Sequence, residues 1–391
     1  MALIQQEFLK MLGNNSLLTG KKAPTRRRVL QLGAALGSSA LAAPMLIRRA
    51  GAEEKVLNWL TYSGHSAEEV IGPFVEKTGI KIQAKEYADG EKMLALIHGS
   101  PPGTFDVVTA DEAYVELLVK SNLIQAMDPA SYDMAAFFPE FQRFEQHWYD
   151  DKLFALMTSW GYNGLAYNTD KLTATDVASY DIMWSEKIKG KLGMRDWYLP
   201  VMGCVSAAQG HKDPYNISNE EFAALKDKMF AMKPNVVGFW DFGGVFDSLA
   251  NGGAYVIPGC GDWIAGLLQR ANHPISSAVP KEGAIMWTES ISIVRDTPRL
   301  ENAKELVRYL TSVEGQRRLM QKSSYMANSA SEAAWKDIVE KNPAEAKMLH
   351  MTDAEDNIMA TLRAGKIIPR RLPKNQSMET WQEAYTEFQN L

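Results

Sequence analysis

The chain has 391 residues, more than one hydrophobic core usually supports, so its length predicts two cores. It carries 42 Lys and Arg against 47 Asp and Glu, a formal net charge of −5. An acidic surface argues against nucleic acid and anionic membranes as partners and is compatible with cationic solutes.

The N-terminal residues have the order of a twin-arginine export signal. Paired arginines at Arg26 and Arg27 precede the uncharged stretch 29–47, and Ala50-Gly51-Ala52 offers a small-x-small cleavage site. A membrane anchor is the alternative, because about 19 uncharged residues are borderline for spanning a bilayer. The stretch is mostly Ala with interspersed Gly, Ser and Pro, which favours the signal. We therefore expect residues 1–52 to be removed and the protein to be periplasmic.

Removal of that segment leaves 34 basic and 46 acidic side chains, a net charge of about −12, and so strengthens the acidic balance. Only two cysteines occur, Cys204 and Cys260, and neither belongs to a CxxC motif. In an oxidising compartment they either pair or remain two separate buried thiols, and spacing does not decide between these. No metal-type His/Cys spacing is found, so no cofactor or metal is expected.

Strands and helices alternate at short spacing, which predicts parallel α/β units. A helix is expected to begin at Ser66 with Glu69 as its capping-box partner and to end at Gly79, and Ser218 is expected to cap a later helix. The predicted strands are 56–60, 80–84, 105–108, 192–194, 254–257 and 291–294. The predicted helices are 66–78, 90–98, 113–120, 201–209, 220–232, 263–271, 300–310 and 314–321.

Two such units joined near 158–168 and again near 287–294 give a chain that crosses twice between two lobes. Ligands of open α/β sheets bind in the crevice at the carboxyl ends of the strands, which here lies between the lobes. The tail 342–391 is expected to be helical with a break at 369–373, and to pack on the second lobe.

Several segments, weak singly but specific in their order and spacing, resemble the extracellular solute-binding proteins of ABC importers, and within them the spermidine/putrescine-binding family. The resemblance implies a two-lobed periplasmic-binding-protein fold of type II, with a mainly parallel sheet and flanking helices in each lobe. The implied division is 53–158 with 288–330 for lobe 1, and 159–287 with 331–391 for lobe 2. The segments are NWLTY (58–62), FVEKTGIK (74–81), FDVV (105–108), WGYNGLAYN (160–168), PKEGA (280–284) and WTES (287–290).

The resemblance also implies a site of aromatic walls and carboxylates, as an ammonium leaving water requires. Trp59 and Tyr62 fall on the family's first aromatic pair, with core aromatics as the alternative. Trp287 and Glu289 fall where the family places an aromatic residue and an acidic amine ligand, with a solvated loop as the alternative. Asp262 matches a second acidic position, although an N-cap of the following helix competes.

The sequence departs from the family at the far end of the cleft. Asp196 and Trp197 stand in a segment where the family places carboxylates, and Asp111 replaces a small polar residue. Arg195 could meet a ligand carboxylate, although a surface ion pair is the commoner role of a single Arg. Asp241 and Trp263 complete the predicted ligand-binding residues. The hypothesis is a ligand with one amine near Glu289 and Asp262 and a remainder unlike a linear polyamine.

The implied function is capture of a small cationic amine by hinge closure, followed by delivery to an ABC permease in the inner membrane. The protein is expected to be a monomer that binds no nucleic acid. A secreted enzyme is the alternative class, but no GxSxG, HExxH or P-loop motif is present. A sensor-associated binding protein on the same fold is a third possibility, because docking surfaces leave no readable motif.

Overall fold

The structure, a computed structural model, describes residues 55–324, 326–352 and 357–391. The predicted export signal at 1–52 therefore lies outside the described residues. No helix in the described part of the chain is long and apolar enough to cross a bilayer. The strands are β1 (Val56–Tyr62), β2 (Lys81–Tyr87), β3 (Val107–Ala110), β4 (Trp148–Tyr149), β5 (Lys152–Leu153), β6 (Leu156–Asn168), β7 (Leu192–Arg195), β8 (Val236–Trp240), β9 (Val256–Gly261), β10 (Ile275–Ala278), β11 (Ala284–Ile293) and β12 (Ile367–Ile368).

Most of these strands form one sheet in the order β2-β1-β3-β11-β6-β9-β7-β8, with β10 on β6 and β12 on β11. The strands β1 to β3 are parallel to one another, and so are β7, β8 and β9. The long strands β6 and β11 lie antiparallel between the two groups, and each pairs with strands on both sides. The chain thus crosses twice between a first group (β1 to β3) and a second group (β7 to β10), as the sequence predicts.

Helices cover the sheet and alternate with its strands. The helix that follows β1 ends at Gly79, whose φ of 69° is left-handed and whose N–H closes the last turn on Val75, so this predicted end is confirmed. The predicted cap at Ser218 is also confirmed, and the structure adds Glu221 as its capping-box partner. The helices are α1 (Glu68–Thr78), α2 (Gly90–Gly99), α3 (Glu112–Lys120), α4 (Pro139–Gln142), α5 (Tyr198–Ala208), α6 (Asn219–Ala231), α7 (Phe242–Ala250), α8 (Asp262–Arg270), α9 (Leu300–Thr311), α10 (Val313–Met320), α11 (Glu332–Lys341), α12 (Pro343–Met348), α13 (Ile358–Arg363) and α14 (Met378–Asn390).

The predicted N-cap of α1 is wrong. The residue in the cap position is Ala67, and no side chain caps the helix. The Glu69 carboxylate is engaged elsewhere, because it accepts hydrogen bonds from the backbone N–H of Ser323 at 2.6 Å and from its hydroxyl at 2.8 Å. A tertiary contact has therefore taken the carboxylate that a capping box would have used locally.

The C-terminal tail, 342–391, packs on the rest of the chain through several elements. Its helix α12 packs on α8, and α14 packs on α5 and α6 through the fully buried Trp381 and Phe388. The predicted break at 369–373 lies between β12 and α14. Because β12 pairs with β11, this break begins next to the middle of the sheet.

The two cysteines, Cys204 and Cys260, are both buried and are separate thiols. Burial raises the pKa of Cys204 to about 11 and that of Cys260 to about 12. Of the two arrangements left open by the sequence, the structure has the unpaired one.

Candidate functional site

Four strands bring the candidate site together in the middle of the sheet. Asp111 follows β3, Asp262 follows β9, and Glu289 lies in β11 at an irregularity of its pairing with β6. All three carboxylates are buried, with side chains 0 to 4% exposed. A buried charge requires compensation from ion pairs or hydrogen-bond donors, so the partners of each carboxylate define what the site can do.

Asp111 is compensated by an arginine from the tail. Its carboxylate accepts from Nε of Arg370 at 3.0 Å and, in a short contact, from Nη2, and it also accepts the backbone N–H of Thr288 at 3.3 Å. Arg370 is only 4% exposed. Burial opposes its charge, but the adjacent Asp111 carboxylate outweighs this and raises the pKa of Arg370. The pair is a bidentate ion pair shielded from solvent, and such a pair is strong when both of its members are present.

Glu112 completes this cluster. One of its carboxylate oxygens accepts the backbone N–H of Arg370 at 3.1 Å, and the other accepts the Thr288 hydroxyl at 2.7 Å. Burial and the neighbouring Asp111 raise the pKa of Glu112 well above its usual value. The neutral, protonated form of Glu112 is thus favoured. The cluster then holds one negative charge, on Asp111, and one positive charge, on Arg370.

Glu289 is compensated within the first group of strands. Nε2 of His65 lies 2.9 Å from its carboxylate, and the Ser159 hydroxyl donates to it in a short contact. Nδ1 of His65 lies 3.0 Å from the Thr61 hydroxyl. Burial lowers the pKa of His65, so the neutral imidazole donates from Nε2 and accepts at Nδ1.

The balancing charge for Glu289 is a fully buried lysine, Lys322. Its ammonium donates to the Leu319 carbonyl at 2.9 Å, and Glu289 attracts it electrostatically. Burial lowers the pKa of Lys322 to about 8. Burial alone would raise the pKa of Glu289, but His65 and Lys322 lower it overall, so the protein itself stabilises the ionised form of this carboxylate.

Among the described residues, Asp262 accepts hydrogen bonds from neutral donors and from no cationic side chain, although His350 attracts it electrostatically. Its two oxygens accept from the backbone N–H of Trp263 at 2.9 Å, the Trp287 indole at 3.3 Å, the backbone N–H of Tyr162 at 3.3 Å and the Asn328 amide at 3.1 Å. Despite these four donors, burial raises its pKa to about 7. The carboxylate would gain from a cation more than any other in the site.

A buried acceptor without a partner lies beside Asp262. The Asn328 amide donates to Asp262, but its own oxygen Oδ1 accepts no hydrogen bond in the described structure. Asn328 is held by mutual backbone hydrogen bonds with Trp160, at 2.8 and 2.9 Å. An ionisable carboxylate next to an unsatisfied amide oxygen is the arrangement that an ammonium group satisfies.

The strand β6 must pass closely beneath this carboxylate. A Cβ added to Gly161 would lie 2.4 Å from Oδ2 of Asp262 and 2.5 Å from the Trp287 ring. Only glycine at this position lets Asp262 and Trp287 approach the backbone, because neither can move away without losing its hydrogen bonds.

Arg195 is not the surface ion pair that its residue type alone favours. It is 5% exposed, its Nη1 donates weakly to the Gly259 carbonyl at 3.4 Å, and it forms no ion pair with any carboxylate of the described residues. Its guanidinium lies over Phe242 at 4.2 Å and Trp197 at 5.2 Å from the ring centroids. The guanidinium of Arg370 lies 4.9 Å from the same Trp197 ring.

The other predicted ligand-binding residues are spread more widely, and their part in binding stays a prediction. Trp59 is 1% exposed and packs in the core, where its indole donates to Thr109 at 2.9 Å. Tyr62 packs on Tyr87, with ring centroids 4.6 Å apart. Asp196 is exposed in a groove of about 510 Å³ between α2 and α14 that Trp197 also lines.

Two other predicted residues lie at the starts of α7 and α8, and one of them, Trp263, donates its backbone N–H to Asp262. Asp241 is an exposed N-cap that accepts the backbone N–H of Gly244 at 2.9 Å. Trp263 packs edge-on against Phe242, with ring centroids 5.0 Å apart. Asp262 is not the N-cap of its helix, because Gly261 holds that position. The Asp262 carboxylate instead accepts hydrogen bonds from several separate segments.

Sequence reasoning missed four residues: Arg370, Lys322, His65 and Asn328. Each is a single polar residue without a local pattern, and its role arises only because distant segments meet. Among the described residues, no group of three or more His, Cys, Asp or Glu side chains is arranged to hold a metal ion.

Replacing Arg370 by methionine should lower the free energy of unfolding by about 3–5 kcal/mol, because it leaves Asp111 buried without its cation. Urea denaturation measures this loss. The neighbouring Arg371 is the matched control, since its ion pair with Glu145 is at the surface and Arg371→Met should cost at most about 1 kcal/mol. In Asp111→Asn protein, Arg370→Met should cost less than in the wild type; additive losses would contradict the coupling.

Replacing Asp262 by asparagine should change how stability depends on pH. With a folded pKa of about 7 and an ordinary value of 3.8, the native state holds a proton that the unfolded state has released between these pH values. Stability from this group is therefore full below pH 3.8 and lost as pH rises to about 7, at up to about 1.4 kcal/mol per pH unit.

The measurement is urea denaturation of wild type and Asp262→Asn from pH 4 to pH 8. The stability of the wild type relative to the variant should fall as pH rises to about 7 and then become constant. Parallel stability curves over the whole range would contradict the raised pKa. The exposed Asp241→Asn serves as the matched carboxylate-to-amide control.

Comparison with known sequences places the chain in a family. The family profile described as bacterial extracellular solute-binding protein matches residues 69–347. The spermidine/putrescine-binding periplasmic protein of Escherichia coli is 24% identical over 289 residues, covering 70% of this chain and 78% of the relative. The putrescine/agmatine-binding protein of Pseudomonas aeruginosa is 21% identical over 341 residues, covering 81% of this chain and 88% of the relative.

Comparison with solved structures identifies the fold. A putative spermidine/putrescine ABC transporter protein from Listeria monocytogenes superposes with a TM-score of 0.71 at 16% identity, covering 85% of this chain and 98% of the other. Such neighbours are two-lobed periplasmic binding proteins, so the predicted fold class and the resemblance are confirmed. Nothing in these comparisons supports the enzyme alternative. The chain belongs to the family of bacterial extracellular solute-binding proteins.

Proposed function

We propose that this protein is the periplasmic solute-binding component of an ABC importer, that it captures a small solute bearing a cationic amine, and that it delivers this solute to a permease in the inner membrane. The observation that carries the proposal is Asp262, a fully buried carboxylate with four hydrogen-bond donors and a pKa raised to about 7. Family membership and the names of the relatives support the same class of ligand.

The amine is assigned to Asp262 and Asn328 rather than to Glu289. Lys322 already interacts electrostatically with Glu289, so a second ammonium there would meet less net attraction. At Asp262 an ammonium would gain a carboxylate and the unpaired Oδ1 of Asn328. The nearby Trp287 ring, held by its hydrogen bond to Asp262, provides an aromatic wall for the same group.

The proposal differs from the known polyamine binders in the far part of the ligand. A linear polyamine requires negative charge at both ends, whereas the charged groups that lie over the Trp197 ring are two guanidiniums, those of Arg195 and Arg370. The remainder of the ligand is therefore unlike a polyamine chain. Capture is by closure of the two lobes, and the protein acts as a monomer.

Titration calorimetry with amines tests this function. The expected result is binding of at least one small primary amine, together with a change of intrinsic fluorescence because Trp287 and Trp197 border the site. Binding should weaken at least about tenfold in Asp262→Asn, since a charge-assisted hydrogen bond is lost. The control Asp241→Asn should bind as the wild type does. Binding of neutral sugars with no response to any amine would overturn the proposal.

Export is the second part of the proposed function, and it rests on the sequence of residues 1–52. Replacing Arg26 and Arg27 by lysine should abolish appearance of the protein in the periplasm, because the twin-arginine route reads the paired arginines. Cell fractionation and immunoblotting measure this. Replacement of Arg48 and Arg49, which follow the apolar stretch, is the matched control and should leave export by this route intact. Normal export of the Arg26/Arg27 variant would contradict the assigned route.

A further inference from the structure

We propose that the ligand also carries a carboxylate, bound by the Arg195 guanidinium and the Trp197 indole N–H, so that the solute is a short ω-amino acid rather than a diamine. This inference rests on the proposed function, because it takes the amine end at Asp262 as given. It adds a second subsite of opposite charge and thereby specifies the class of solute.

The first observation is that Arg195 forms no ion pair with a carboxylate of the described residues. The side chain is 5% exposed, and its one hydrogen bond within the described chain is a weak one to the Gly259 carbonyl at 3.4 Å. The faces of Phe242 and Trp197 enclose the guanidinium, and the exposed Asp196 attracts it electrostatically without a hydrogen bond. A guanidinium carries five N–H donors, and leaving them without an anion in a dry site is costly.

A second guanidinium makes the surroundings of Arg195 more positive. Arg370 lies over the same Trp197 ring and repels Arg195 electrostatically. Arg370 is already ion-paired with Asp111, whereas no carboxylate in the described ranges pairs with Arg195. The local excess of positive charge is therefore at Arg195, where an anion would be stabilised.

The second, independent observation is an orphaned donor. The indole Nε1 of Trp197 is buried, and no acceptor reaches it in the part of the chain that the structure describes. An indole nitrogen is a donor only, so the group that satisfies it must be an acceptor. An unpaired guanidinium beside an unpaired N–H matches a carboxylate, whose planar pair of oxygens suits the fork of an arginine.

The position of this subsite limits the length of the ligand. Arg195 ends β7 next to Gly259 of β9, and Asp262 follows Gly259 by three residues. Three residues span at most about 11 Å, so the two subsites are separated by the length of a short chain. Trp197 also lines the groove of about 510 Å³ between α2 and α14, which places this subsite next to solvent.

The experiment compares three probes of one length by titration calorimetry: 5-aminopentanoate, 1,5-diaminopentane and pentanoate. We expect 5-aminopentanoate to bind at least about tenfold more tightly than either of the others. Equal or tighter binding of the diamine would overturn this inference, and with it the proposed difference from polyamines, but it would leave amine capture at Asp262 standing. Binding of pentanoate as tightly as the amino acid, or absence of binding by both amines, would overturn the proposed amine subsite and this inference with it.

Two variants test the residues themselves. Arg195→Met keeps an extended apolar side chain against Phe242 but removes the charge, and it should weaken binding of 5-aminopentanoate at least about tenfold. Trp197→Phe keeps an aromatic face but removes the indole N–H together with its five-membered ring, and it should weaken binding several-fold. Arg371→Met, at the surface, is the control and should bind as the wild type does.

The stability of the ligand-free Arg195→Met protein separates recognition from folding. Since Arg195 has no ion pair to lose, its melting temperature should equal or exceed that of the wild type. Weakened binding with unchanged stability supports the subsite. Unchanged binding by both variants would overturn it, and so would a lowered melting temperature accompanied by undiminished affinity.

Discussion

The ion pair between Arg370 and Asp111 is the interaction on which the arrangement of the site depends. Asp111 begins the helix after β3, in the first group of strands, and Arg370 follows the short strand that pairs with β11. Both side chains are almost completely buried. Because each charge is tolerable only in the presence of the other, the pair fixes the tail against the sheet and places a guanidinium over Trp197.

The other charges of the site follow from the same requirement. Glu112, next to Asp111, has no second cation and is favoured in its protonated form. Glu289, the predicted amine ligand, interacts with His65 and Lys322 inside the protein. What remains is one carboxylate, Asp262, bonded to donors but no cation, and one cation, Arg195, with no ion-pair partner in the described chain. Because these two charged groups lie apart along β9, the site has a negative end at Asp262 and a positive end at Arg195.

Much of this fold is readable from the sequence, because apolar periodicity and glycine stops are local signals. The helix end at Gly79 and the cap at Ser218 are examples. The full extent of β11 was not readable: only 291–294 was predicted as strand, since Trp287-Thr288-Glu289-Ser290 has the polarity of a loop. Those polar residues are buried within the strand because groups from other segments satisfy them, such as His65, Ser159 and Glu112.

The candidate site was readable only in part for a related reason. Trp287 and Glu289 lie in a segment that resembles the family, and Asp262 matches an acidic position of some members, so these three could be predicted as site residues. Arg370 and Lys322 could not be found, because a single basic residue has no sequence pattern that distinguishes burial from exposure. The burial of Arg195 was also not predictable from the sequence, since it depends on Phe242 and Trp197 packing around its side chain in three dimensions.

The two buried cysteines have a consequence for a protein that is proposed to function in an oxidising compartment. With their pKa values raised to about 11 and about 12, Cys204 and Cys260 are almost wholly thiols at neutral pH, and the thiolate is the form that oxidants and disulfides attack. The folded chain therefore neither needs an oxidant to complete its structure nor offers one a target. The stability of the folded chain should therefore not depend on redox potential. It should be the same on both sides of the membrane that the protein is proposed to cross.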